Sequence, residues 1–66
     1  MKYSSFLQIY RKRARLTQRE LAEKIGKGIN QTLISNWETG VSFPAPEQKK
    51  KMAEILRVNE KVLFPL

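Results

Sequence analysis

The stretch from Leu16 to Gly40, LTQRELAEKIGKGINQTLISNWETG, writes the start and the end of a helix twice in close succession. Thr17 suits the N-cap position, because its hydroxyl can accept from a backbone N–H left free in the first turn. Glu20 stands three residues on and completes a capping box. Leu16 before the cap and Leu21 after the first turn can close a hydrophobic staple. Gly26 then stops the helix, since it enters the left-handed region without a Cβ clash. The grammar repeats: Asn30 caps, Ile29 and Ile34 staple, and Gly40 stops. These signals predict helices over Gln18–Ile25 and 31–39, joined by a glycine-containing turn. Two short helices joined in this way form a helix-turn-helix.

The second helix of the pair carries the functional signal. Ile34 and Trp37, three apart, mark its inward side, with the Trp37 indole N–H at the protein edge. Gln31, Thr32, Ser35, Asn36 and Thr39 occupy its other positions, and none is charged. Amides can pair with adenine through two hydrogen bonds, while hydroxyls and methyls suit other base edges. An ordinary solvated face is the alternative, although such faces usually carry Glu and Lys. From these residues alone the two readings stand level.

The rest of the chain narrows the classes. Its 66 residues make one small domain, residues 1–66, too short to hide more than about 60% of its unfolded surface. It contains no Cys and no His, and no Asp is present in the sequence. Thiolate or imidazole metal sites, the Ser-His-Asp triad and histidine acid–base work are therefore excluded, and no metal, cofactor or enzymatic activity is expected. The apolar runs are too short for a signal peptide or a membrane span, so a cytoplasmic protein is expected. Thirteen basic against six acidic residues give a net charge of +7, which favours a polyanionic partner.

The spacing predicts a first helix over Ser5–Ala14, with Ser5 and Gln8 as a further capping box. Tyr3, Leu7, Tyr10 and Ala14 share its core face. Phe6 and Ile9 fall to one side, as core edge or partner surface, with edge packing favoured. The run Arg11-Lys12-Arg13-Ala14-Arg15 offsets the helix dipole and can attract phosphate. The next helix buries Leu21, Ala22 and Ile25. Val41-Ser42-Phe43-Pro44-Ala45-Pro46 reads as an extended loop, because each proline disfavours helix in the residue before it. A fourth helix over Pro46–Leu56 puts Met52, Ala53 and Leu56 in the core. Its Lys49-Lys50-Lys51 can lay methylenes along that core. Asn59 caps a short fifth helix over Glu60–Phe64, and Val62, Leu63, Phe64 and Leu66 form an apolar end with Leu63 in the core.

Leu16-Thr17-Gln18, Glu20-Leu21-Ala22, Gly26, Gln31, Ile34-Ser35-Asn36-Trp37-Glu38 and Gly40 together resemble the phage repressor and Cro family, the xenobiotic-response-element type of helix-turn-helix. The resemblance runs from about Tyr3 to Pro65. It implies an all-α, compact five-helix lambda-repressor-like domain. It also implies a bacterial or phage-encoded regulator, most simply a repressor, that binds double-stranded DNA as a homodimer through the C-terminal helix and tail. Gln31, Thr32 and Asn36 match base-contact positions. Gln18, Thr17, Ser35, Thr39, Arg11 and Arg13 are the implied phosphate contacts, and Gln18 also bridges to the recognition helix. Arg11 matches an arginine that pairs with the glutamate closing that helix, here Glu38.

The chain departs from the family pattern at four places. Lys27 and Gly28 are extra in the turn, so either the second helix lengthens or the turn loosens, and Lys27 becomes a further phosphate candidate. Leu33 replaces a small polar residue, and packing on the second helix is favoured over contact with a thymine methyl. Lys49 and Lys50 replace leucines. The loop after Gly40 lacks basic residues, leaving its backbone N–H groups and Ser42 to reach the DNA. A second reading keeps the fold and gives it a protein partner, as an antitoxin or a phage regulatory adaptor. RNA binding is weaker, for want of clustered exposed aromatics.

Overall fold

The computed structural model describes residues 5–26 and 28–64. Among them the chain forms five helices and no strand: α1 (Phe6–Arg13), α2 (Gln18–Ile25), α3 (Gln31–Thr39), α4 (Pro46–Leu56) and α5 (Glu60–Leu63). The fold is all-α, as expected. Tyr3, Lys27 and Leu66 lie outside the described residues.

The helix starts obey the local chemistry. Glu20 N–H donates to Thr17 Oγ1 at 3.0 Å, and Thr17 N–H donates to Glu20 Oε1 at 2.8 Å, so the capping box closes on both sides. Leu33 N–H donates to Asn30 Oδ1 at 2.9 Å at the start of α3. At α1 Gln8 N–H donates to Ser5 Oγ, but among the described residues the return bond from the Gln8 side chain is not formed. Ser5 and Ala14 are caps of α1 rather than members of it, and Phe64 likewise caps α5. At α4 Ala45 N–H donates to Gln48 Oε1 at 2.7 Å, and the Ala45 methyl has nothing to return.

The stops divide into two kinds. Gly40 takes φ 80°, ψ 8°, and the Val41 and Ser42 N–H groups both donate to Asn36 O, at 2.9 and 3.3 Å. Gly26 goes further than expected: φ 128°, ψ −165° lies outside the left-handed helical region, in territory open essentially to glycine alone. That conformation opens the turn Gly26–Asn30. α2 ends at Ile25, so the second helix does not lengthen, and the Ile29 N–H donates to Gly26 O at 3.3 Å. Arg15 and Arg57 hold left-handed positions after α1 and α4, at φ 60° and 59°. Around Arg15 the Leu16 N–H donates to Arg11 O at 3.2 Å and the Arg15 N–H to Lys12 O at 2.9 Å, a Schellman stop built without glycine.

Each helix contributes to a single core of Leu7, Leu21, Ala22, Ile34, Trp37, Met52, Ala53, Leu56 and Leu63. Fully burying each of the larger side chains contributes about 1.5–3 kcal/mol. Tyr10 and Ile25, expected in the core, are only partly buried against it, as is Leu33. Ala14 is exposed, because the chain has left the helix at Arg13 and no longer follows its face. Phe6 and Ile9 do not pack as a core edge: 48% and 41% of their surface stays open. α1 itself packs against α3 and α5.

Candidate nucleic-acid interface

Two chemical devices fix α3 against the body. Its inward side buries Ile34 and Trp37 beside α2. Its last turn buries a charge, since Glu38 is 4% exposed and faces Arg11, which is 7% exposed. Arg11 Nε donates to Glu38 Oε2 at 2.5 Å, Nη2 donates to Oε1 at 3.4 Å, and Nη1 donates to Leu16 O at 2.7 Å. A buried pair survives desolvation only when further hydrogen bonds satisfy it, and here the Leu16 carbonyl and a third side chain do so.

That third side chain is Gln18, at the N-terminus of α2. Its Nε2 donates to Glu38 Oε1 at 2.9 Å, and its Oε1 accepts from Gln31 Nε2 at 3.4 Å. Arg11, Glu38, Gln18 and Gln31 thus form one polar chain from the protein interior to the outer face of α3. The turn is two residues longer than the resemblance implies, yet the start of α3 still reaches the start of α2.

The outer face matches the expected composition. Gln31, Thr32 and Thr39 are exposed, and Ser35 and Asn36 are half-buried. Gln31 keeps one amide hydrogen and its carbonyl oxygen for an outside partner. Thr17 uses its hydroxyl oxygen to accept from the Glu20 N–H. Thr39 differs. Its single O–H donates to Ser35 O at 3.0 Å and lies 3.4 Å from Asn36 O, so a phosphate would have to draw it off its own helix.

Other candidate contacts sit apart from this face. Arg13 lies over the Tyr10 ring, 5.7 Å from its centre, beside Ile55 and Arg57 at the far end of α4. Arg11 is committed to Glu38 and Leu16. In the loop after α3 the Val41 and Ser42 N–H groups are spent on Asn36 O, and the Ser42 hydroxyl is buried without a partner. Instead the loop shows Val41 and Phe43, 73% and 71% exposed. Sequence reasoning missed these two as surface features, although the two prolines that hold the loop extended were the signal for it. The bridge from Gln18 to the recognition helix was implied by the resemblance, but its partner Glu38, 20 positions away, was not.

At the start of α2, the bond from the Thr17 backbone N–H and a contact from the Thr17 hydroxyl hold the Glu20 carboxyl below its ordinary range. Among the described residues no three acidic, Cys or His side chains come together as a metal site, and no helix is long and apolar enough to cross a membrane.

A family model described as helix-turn-helix matches residues 7–63. No curated protein and no solved structure matches the chain.

Proposed function

The chain belongs to the XRE-type, Cro- and C1-like helix-turn-helix family of DNA-binding transcription regulators, and from that premise we propose that residues 1–66 act as one domain that represses transcription by occupying an inverted-repeat operator. In this reading α3 enters the major groove, with Gln31, Thr32 and Asn36 at base edges. Thr17, Gln18 and Ser35 contact the flanking phosphates, and Lys27 adds positive charge in the turn before α3. The observation that carries the reading is the outer face of α3, which is uncharged in a chain of net charge +7 and whose leading amide is held by Gln18. Two copies related by a two-fold axis would place their α3 helices about 34 Å apart, one turn of B-DNA. Val62 on α5, with Phe6 and Ile9 on the neighbouring α1, offers exposed apolar surface for that pairing.

Selection of bound duplexes from a random pool tests this reading directly. An enriched motif with two-fold symmetry is the expected result. Gln31→Ala should cost about 1–3 kcal/mol in binding and relax one base position. A pool that enriches nothing at low salt would sink the proposal. The exposure of Val41 and Phe43 beside α3 favours a second reading, in which the domain binds a protein. Salt separates the two. Phosphate contacts give a steep fall in affinity with salt, and an apolar contact does not.

A further inference from the structure

The polar chain that ends at Gln31 has a direction, and its buried end sets it. A carboxylate only accepts hydrogen bonds, so Gln18 can meet Glu38 only with its amide nitrogen, as it does at 2.9 Å. That turns the Gln18 oxygen outward. An oxygen also only accepts, so Gln31 must meet it with nitrogen, as it does at 3.4 Å. Arg11 closes the other end, donating to both carboxylate oxygens and holding the Glu38 side chain in place.

We propose that Glu38, though buried away from any groove, fixes which way round the Gln31 amide is presented and thereby selects adenine at the base Gln31 reads. The inference rests on the DNA-binding reading of α3. With one Nε2 hydrogen given to Gln18, Gln31 offers the groove one N–H and one carbonyl oxygen. Adenine presents the complement, N7 as acceptor and the N6 amino group as donor. Guanine presents two acceptors, N7 and O6, and leaves the Gln31 oxygen facing another oxygen. Glu38 is in this sense a positioning residue that acts through two glutamines.

Glu38→Gln tests the direction itself. Arg11 Nε still donates to the new amide's oxygen, so its nitrogen faces Gln18. Gln18 then turns its own oxygen inward and its nitrogen outward, and Gln31 must accept through Oε1. Both Gln31 amide hydrogens now point to the groove, which suits guanine. Random-pool selection with this variant should show the adenine-over-guanine preference at one position falling about tenfold or more, with the other positions and the salt dependence unchanged. Gln18→Leu leaves the buried pair intact and cuts the chain. It should lower the adenine preference without a gain for guanine. Cooperative thermal melting establishes that each variant is folded, and if Glu38→Gln does not melt cooperatively, Gln18→Leu decides.

Retention of the adenine preference in a folded variant overturns the proposal. So does an equal loss of affinity for every base, which would mean that Glu38 only holds the fold. A wild-type motif that has no adenine depending on Gln31 overturns it while leaving DNA binding standing. A wild-type selection with no motif removes the DNA-binding reading as well.

Discussion

The α2–α3 half and the α4–α5 half are built to different standards of local definition. Both ends of α2 and α3 are written in side chains: a closed capping box at Thr17, an Asn30 cap, and glycines after each helix. A buried ion pair then ties α3 to α1. In the other half α4 starts at an alanine that cannot cap, stops at an arginine forced into left-handed backbone, and carries three consecutive lysines. Lys49 covers the Phe64 ring, 5.7 Å from its centre, in place of an apolar neighbour. The final helix has four residues. Definition is concentrated where side chains must be held at fixed angles, while the second half mainly closes the core through Met52, Ala53, Leu56 and Leu63.

Four measurements can break or sharpen this contrast. The largest effect is expected for Glu38→Ala, which strands the Arg11 charge in the interior and should destabilise by about 3–5 kcal/mol in chemical denaturation. A cost under about 1 kcal/mol would remove the ion pair from the account of how α3 is held. Next is Gly26→Ala. A Cβ there meets nothing within 4 Å, so the cost is purely that of the backbone angle, about 1–3 kcal/mol. Smaller and opposite effects are expected at the two N-caps: Thr17→Ala should lose about 1 kcal/mol, while Ala45→Ser should gain about as much by completing a box with Gln48. If Ala45→Ser changed nothing, the start of α4 would already be satisfied and the contrast between the halves weaker than drawn.

The smallest effect concerns pH. The Glu20 carboxyl titrates below its ordinary value in the folded chain, held there first by its bonds with Thr17. A lowered folded value means that the unfolded chain binds the proton more readily. The contribution is therefore complete above the ordinary carboxylate range and is lost as pH falls through the folded value. Melting temperatures of wild type and Glu20→Ala should differ at neutral pH and converge in acid. A difference that persisted in strong acid would contradict the assigned cause.

Much of the fold was legible because helix ends are local chemistry. Caps, boxes and stops lie within four residues of one another, so Gln18–Ile25, 31–39 and Pro46–Leu56 could be bounded from the sequence. The buried face of α1 was legible in part: Leu7, expected in the core, is fully buried, while Tyr10 is only partly buried and Ala14 falls outside the helix. Arg15 and Arg57 carry no sequence sign of left-handed backbone, because glycine usually holds such positions. The extra turn residues fit either a longer helix or a looser turn until the Gly26 angles are known.

At the candidate interface, the uncharged face of α3 was visible in its residue types. The pair of Arg11 with Glu38 was available only through family resemblance, since 27 residues separate the partners. The bonds from Gln18 to Glu38 and from Gln31 to Gln18 join positions that no periodicity relates.

The link between Arg11 and Glu38 bears on any attempt to retarget this domain. Exchanging only the exposed positions of α3 for those of a relative would leave the incoming side chains resting on Gln18, whose orientation the interior dictates. A transplanted specificity should therefore carry Arg11, Gln18 and Glu38 with it. A recipient lacking that trio should accept the helix yet misread its target.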